Sequence, residues 1–109
     1  MFDVELGAPE WDYTPKFKGN DKADKPGSVR LRLLSVEEQE ECLGFGAKLD
    51  RAKMFTYGVV EFKGFSVRGK PIKTAADVLE TQGQLYGLFA EVWIEINNKL
   101  FLSEGEVKN

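Results

Sequence analysis

Histidine is absent from this chain of 109 residues, and cysteine occurs once, at Cys42. The lack of histidine removes the commonest general base, the Ser–His and Cys–His nucleophile pairs and most zinc sites. A single cysteine excludes an intrachain disulfide. The neighbouring carboxylates of Glu40 and Glu41 are expected to raise the pKa of its thiol rather than activate it. We therefore expect no catalytic, cofactor-binding or metal-binding residues.

Long hydrophobic runs and a strong excess of positive charge are also lacking. No apolar run approaches the roughly 20 residues that a membrane-spanning helix needs, and the N-terminal residues lack the pattern of a secretion signal. We expect a cytoplasmic protein with no membrane partner. The net charge of −3 also argues against a broad phosphate-binding surface. Four lysines near the N-terminus (Lys16, Lys18, Lys22 and Lys25) alternate with Asp12, Asp21 and Asp24, which weaken their field, so no nucleic-acid partner is expected.

The length and the hydrophobic fraction of 42% fit one domain with one modest core. We assign residues 1–109 to a single domain, with 1–9 and 103–109 as flexible ends. The fold class that the patterns predict is α+β: a small antiparallel sheet packed against a C-terminal amphipathic helix, with a short acidic helix after the first hairpin.

The first hairpin is predicted from two segments, near residues 10–18 and 28–34. The segment EWDYTPKF alternates loosely around Pro15, which is typical of an edge strand. In SVRLRLLS the apolar residues fall on one face and Arg30 and Arg32 on the other, which indicates a strand with one solvated side. The polar residues 18–27 between them are predicted to be a long hairpin loop.

An acidic helix is predicted to begin after Ser35, because serine followed by Glu38 three positions later forms a capping box. Gly44 and Gly46 are expected to end this helix. Its glutamates could hold a divalent cation, but their spacing matches no loop of calcium-binding oxygens, so a solvated face is expected.

A third strand is predicted over residues 56–68, with Val60 and Phe62 on one face. The alternation changes phase at Gly64, which predicts a bulge or a bend. Arg68 and Gly69 are expected to form a tight turn. Pro71 is then expected to prevent further pairing.

The segment after this turn is predicted to lead into helices. Thr74 and Asp77 have the spacing of a capping-box-like pair at the start of a short helix, from about residue 75 to 81. A break at Gln82–Gly83 separates it from a longer helix at about residues 84–99. No glycine-rich phosphate-binding loop is present, so the stretch is predicted to turn the chain and not to hold a nucleotide.

The apolar arc of the terminal helix is wider than one small sheet needs. Leu85, Leu88, Phe89, Val92 and Ile96 form a stripe. Tyr86, Trp93 and Leu100 widen the arc, and Ala90 and Ile94 extend it further. Two explanations remain open: the N-terminal strands cover the second side, or the helix docks on another protein chain.

The order of segments resembles a family of small tailed-phage and prophage morphogenesis proteins, those of the tail assembly chaperone type. The resemblance covers most of the chain and is carried by EWDYTPKFKGND, LLSVEEQEE, VVEFKGFSVRGKPIKTAADVLE and LSEGEVKN. These are patterns of turns, caps and apolar positions rather than reactive groups. The resemblance implies a non-enzymatic protein of the bacterial host cytoplasm that binds the tape-measure protein or the tail tube and uses no cofactor. The partner-binding candidates on the terminal helix are Tyr86, Phe89, Val92, Trp93 and Ile96.

Two alternatives are kept beside this hypothesis. One is a structural virion component, a head–tail joining or tail-completion subunit, which would form a ring as a homo-oligomer. The other is a small enzyme that would use charged residues near Tyr57, namely Asp50, Arg51, Lys53 and Glu61. The enzyme is disfavoured, because these residues are expected in a solvated loop and rim and no nucleophile has an evident partner.

Overall fold

The fold is α+β, as the sequence predicts. The computed structural model describes residues 1–4, 8–43 and 49–101. The strands are β1 (Glu10–Tyr13), β2 (Ser28–Arg32), β3 (Val59–Lys63), β4 (Phe65–Val67) and β5 (Lys70–Ile72). The helices are α1 (Val36–Leu43), α2 (Arg51–Gly58), α3 (Ala75–Leu79) and α4 (Tyr86–Phe101).

The first three strands form an antiparallel sheet in the order β1-β2-β3. One face carries Val29, Leu31 and Phe62, which are buried. On the other face Arg30 lies within 3.1 Å of Glu10 Oε1 and 3.2 Å of Asp12 Oδ2. The alternation in the sequence therefore predicted the buried and solvated faces of β2 correctly.

The connection from β1 to β2 is more ordered than a polar loop. Residues Phe17–Lys22 form short 3-10 turns with a kink at Lys18 and Gly19, whose φ angles are 49° and 81°. The Asn20 amide donates to the carbonyls of Pro15 and Gly27, and its oxygen accepts from Gly27 N at 2.8 Å. One side chain thus ties both ends of the connection together.

The third predicted strand, residues 56–68, is wrong at its N-terminal end, and the rest is divided at Gly64 into β3 and β4. Residues 56–58 belong to helix α2, which Asp50 caps by accepting from Lys53 N. The strand β3 itself has a register shift, since Arg30 pairs with Glu61 but Leu31 pairs with Val59. The extra residue, Val60, is 43% exposed, so it does not share the buried face of Phe62 as expected.

Residues 65–72 form a separate hairpin, and the prediction for Pro71 is wrong. Arg68 and Gly69 turn the chain with φ of 54° and 81°, as in the mirror-image turns that suit hairpins. Pro71 pairs with Ser66 in this hairpin. Because Val67 and Lys70 form the closing pair of the two-residue turn, position 71 lies where the backbone nitrogen points away from β4, so a missing N–H costs no ladder bond. The bend predicted at Gly64 is confirmed, with φ of 78°.

Both predicted capping boxes are present. Ser35 and Glu38 exchange side-chain-to-backbone bonds of 2.8 and 3.1 Å at the start of α1. Thr74 and Asp77 do the same at the start of α3. The predictions for Gly44, Gly46 and residues 103–109 lie outside the described residues. Residues 1–4 are exposed, whereas Pro9 accepts a hydrogen bond from Leu33 N beside the sheet.

The core joins the sheet to the helices around Phe55 of α2. Its ring lies 6.2 Å from that of Phe62 on β3 and 5.0 Å from that of Phe89 on α4. Helices α2 and α4 approach closely at Gly58, where an added Cβ would lie 2.5 Å from Ile96 Cδ1. Within the described residues, no helix is long and apolar enough to cross a membrane.

Candidate interaction surface

Helix α4 begins after a left-handed pair of residues, Gln82 and Gly83, with φ of 55° and 85°. The N–H of Tyr86 donates to the carbonyl of Gly83 at 3.1 Å and closes the first turn. The break predicted at Gln82–Gly83 is therefore confirmed. It sets the direction in which α4 leaves α3, and so decides which sides of α4 meet the rest of the molecule.

Side chains four residues apart form rows along α4, because four residues turn the helix by about 400°. The inner row, Leu88, Val92 and Ile96, is at most 1% exposed. The outer row, defined as Tyr86, Ala90 and Ile94, is offset by two residues, which is about 200° around the helix axis. Tyr86 is 56% exposed and Ile94 46%. One apolar row therefore lies in the core and the other faces solvent.

An aromatic flank, Phe89 and Trp93, lies between these rows and is half-buried. Phe89 packs on Phe55 and also lies 5.6 Å from the ring of Tyr86. The guanidinium of Arg51 lies 5.1 Å from the centre of the Trp93 ring, which is within the range of a cation–π contact. The flank thus connects the core to the outer row.

An acidic flank, Glu91 and Glu95, lies on the other side of the inner row and holds the N-terminal residues. Glu91 Oε2 accepts from the Tyr13 hydroxyl at 2.7 Å and from Lys16 N at 2.6 Å. Glu95 Oε2 accepts from Trp11 Nε1 at 3.0 Å. Burial, followed by the bond to Glu91, raises the pKa of Tyr13 above its ordinary value. The hydroxyl of Tyr13 therefore stays a hydrogen-bond donor at any physiological pH.

The five partner-binding candidates do not form one surface. Val92 and Ile96 belong to the inner row and are fully buried, so they cannot touch a partner in this conformation. Phe89 and Trp93 are partly accessible, and Tyr86 projects into solvent. The structure therefore brings three of the five toward one accessible side.

Two residues complete the accessible side. Ile94, which the sequence placed at the margin of the apolar arc, is central to the outer row. Leu79 of α3 is 41% exposed and lines a cleft together with Val78, Thr81, Gly83, Leu85, Tyr86 and Phe89. Sequence analysis missed Leu79. The spacing of the short helix could have indicated it. Ala75 and Val78, three residues apart, form its buried side, and Leu79 lies outside that side.

The structure partly answers what covers the wide apolar arc of α4. The N-terminal strand contacts α4 through hydrogen bonds to the acidic flank, and its Trp11 and Tyr13 also pack against the core. Tyr86 has a ring contact with Phe89, yet Tyr86 and Ile94 remain about half exposed. The outer row is the part of the arc that the described fold leaves to solvent.

The residues considered for an enzyme each have a structural partner. Arg51 stacks on Trp93, and the Lys53 ammonium lies 3.9 Å from Glu41. The Tyr57 hydroxyl donates to Glu41, and this bond raises the pKa of Tyr57 to about 12. Asp50, Arg51, Lys53 and Tyr57 lie on or beside helix α2, not in the predicted loop. Glu61 lies on β3, 3.8 Å from the Lys63 ammonium.

The single cysteine is buried, and the carboxylates of the described residues form no metal-binding group. Cys42 is buried, and burial, with Asp50 nearby, raises the pKa of its thiol. The raised pKa keeps the thiol protonated and weakly nucleophilic. In residues 1–4, 8–43 and 49–101, no group of three His, Cys, Asp or Glu side chains is arranged to hold a metal ion.

Comparisons of the chain with protein-family models, with curated proteins and with solved structures found no match. The geometry of α4 therefore carries the functional argument.

Proposed function

We propose that this chain is a non-enzymatic phage tail assembly chaperone, which binds the tape-measure protein in the host cytoplasm during tail morphogenesis. The observation that supports a binding role is the outer row of α4, where an isoleucine and a tyrosine face solvent on a helix whose opposite row fills the core. The choice of partner rests on the resemblance in segment order and turns.

The outer row suits a helical partner. Tyr86, Ala90 and Ile94 recur every four residues, which is the spacing at which one helix presents a ridge to the groove of another. Ala90 at the centre lets a partner backbone approach closely. Tyr86 and Trp93 supply aromatic side chains, which are enriched among the residues that dominate binding energies. A largely helical tape-measure segment with an apolar stripe is the complementary ligand.

The test is titration of the purified chain with helical fragments of a phage tape-measure protein, followed by calorimetry. We expect saturable binding that Ile94→Lys abolishes, because a charge would be buried in the contact. Val36→Lys is the matched control, since Val36 is 75% exposed on α1, away from α4. Equal loss of binding in both variants would contradict a role for the outer row.

Light scattering on the chain alone separates the chaperone from the virion component. A monomer, or a weak oligomer that depends on concentration, supports the chaperone. A stable ring of fixed stoichiometry that binds no tape-measure fragment would overturn the proposal in favour of a head–tail joining or tail-completion subunit.

A further inference from the structure

Among the described residues, the β1 edge of the three-stranded sheet has backbone groups with no hydrogen-bond partner. Leu33 N donates to the carbonyl of Pro9 at 2.9 Å, and the same register continues through Trp11↔Leu31 and Tyr13↔Val29. In an antiparallel ladder, pairs that exchange hydrogen bonds alternate with pairs that do not. The backbone groups of residues 11 and 13 therefore face β2, and those of Glu10 and Asp12 face outward.

The opposite edge of the sheet is used differently. On β3, the outward N–H of Phe62 donates to the carbonyl of Lys73 at 2.8 Å. No such bond to the backbone of Glu10 or Asp12 is found among the described residues. The β1 edge is thus the one from which this sheet can be extended.

The β1 strand is held rigidly in place for such an extension. Trp11 and Tyr13, which point toward α4, are fixed by the bonds to Glu95 and Glu91, and the backbone of Lys16 is fixed by Glu91 as well. A strand that is already ordered loses little conformational entropy when another strand pairs with it.

The charge on the solvated face selects the kind of strand that fits. Glu10 and Asp12 lie on the same face of β1, and both contact the guanidinium of Arg30 on β2. Arg32, opposite Glu10 in the pairing, is bound by Glu38. The two carboxylates and the Arg30 cation therefore leave a net negative charge along the edge. A fourth strand with lysine or arginine at alternate positions would place its cations directly opposite these carboxylates.

A second copy of the chain fits this edge poorly. Antiparallel pairing of β1 with β1 of another copy would set the carboxylates of Glu10 and Asp12 against their equivalents, and like charges directly opposite destabilise a sheet. We infer that the free edge of β1 accepts an extended, basic segment of a partner protein as a fourth strand. This surface is distinct from the outer row of α4 and does not depend on what that row binds.

The experiment measures backbone amide exchange in the ¹⁵N-labelled full chain, with a short acetylated peptide of alternating lysine and valine as the probe. The exchange of the Glu10 and Asp12 amides should slow about tenfold or more at saturating peptide, since they become hydrogen-bonded. The amides of Trp11 and Tyr13, already bonded to β2, should change little. A peptide of alternating glutamate and valine is the matched control and should protect neither pair.

Two variants test the backbone and charge components separately. Asp12→Pro removes an outward N–H without removing a bond to β2 and should abolish protection by the peptide. Glu10→Gln/Asp12→Asn keeps the backbone and should weaken peptide binding by about tenfold, an effect that high salt also produces. If Asp12→Pro fails to fold, the Glu10→Gln/Asp12→Asn variant and the exchange rates of the Glu10 and Asp12 amides provide the test.

Three results would overturn the inference. The lysine peptide could leave Glu10 and Asp12 unprotected, or the glutamate peptide could protect them equally. The chain alone could also protect these two amides as its concentration rises, which would identify a second copy as the occupant.

Discussion

The inner and outer rows of α4 have similar composition but opposite surroundings. Leu88, Val92 and Ile96 are fully buried, whereas Tyr86 and Ile94 are about half exposed. Both rows repeat every four residues on the same helix. Helical periodicity therefore identifies the apolar rows but does not determine which of them packs in the core. Tertiary contacts decide it, here the approach of α2 at Gly58 and of Phe55.

The inner row should be the most sensitive to change. Ile96→Ala removes three carbons from a fully buried site against Gly58 and should lower the free energy of unfolding by about 2–5 kcal/mol. Urea denaturation followed by circular dichroism measures this. A loss below about 1 kcal/mol would mean that Ile96 is not packed as described.

The aromatic flank should show an intermediate effect on stability. Trp93→Ala removes a half-buried ring and its contact with Arg51, so we expect a loss of roughly 2 kcal/mol, less than for a fully buried tryptophan. The chain should stay folded by circular dichroism and bind the tape-measure fragment more weakly. Trp93→Phe is the control and should retain most of both. If Trp93→Ala unfolds the chain, Trp93 is a core residue whose contribution to stability equals that of the inner row.

The acidic flank should matter through hydrogen bonds rather than apolar burial. Glu91→Ala leaves the Tyr13 hydroxyl and Lys16 N without their acceptor and should cost about 1–3 kcal/mol. Glu91→Gln keeps an acceptor oxygen and should cost less. Thermal unfolding of both variants measures the two losses of stability. An equal loss would mean that the negative charge of Glu91, rather than its acceptor oxygen, is responsible.

Acid titration should reveal the ion pair between Arg32 on β2 and Glu38 on α1. The bidentate bond from Arg32, followed by the backbone bond from Ser35, lowers the pKa of Glu38 from 4.5 to about 2. Because the folded pKa lies below the unfolded one, this stabilisation is present above about pH 4.5 and is lost as the pH falls toward 2. The pair is partly solvated, so its contribution should be about 1 kcal/mol. Stability measured against pH should be flatter in this window for Glu38→Gln than for the unaltered chain. Parallel curves would contradict the assignment.

The outer row should have the smallest effect on folding. Ile94→Ala removes a side chain that is 46% exposed and should change the free energy of unfolding by about 0.5 kcal/mol or less. The same variant should weaken tape-measure binding measurably. A loss of stability as large as that of Ile96→Ala would abolish the distinction between the two rows.

The sequence predicted the features that depend on near neighbours in the chain. The capping boxes at Ser35 and Thr74, the turn at Arg68–Gly69 and the break at Gln82–Gly83 each need only a few adjacent residues. The β1–β2 pairing was also predicted, because β2 alternates cleanly between buried and solvated positions.

The missed features depend on distant contacts or on weak local signals. Helix α2 was read in part as strand, since Met54, Phe55 and Gly58 give little helical periodicity and aromatic residues favour strands. The exposure of Val60 follows from a register shift against β2, which alternation within β3 alone does not reveal. On α4, the sequence grouped Val92 and Ile96 with Tyr86, because their separation needs the positions of α2 and β1.

The bonds from β1 to α4 also bear on the order in which the chain folds as it is synthesised. Trp11 and Glu95 are 84 residues apart, and Tyr13 and Glu91 are 78 apart. Contacts of such long sequence separation form late, because the intervening chain must first be closed into a loop. On the ribosome, β1 and β2 emerge well before their anchor on α4 exists. Strand β3 can pair with β2 earlier, but the first hairpin lacks its bonds to α4 until translation has passed residue 95.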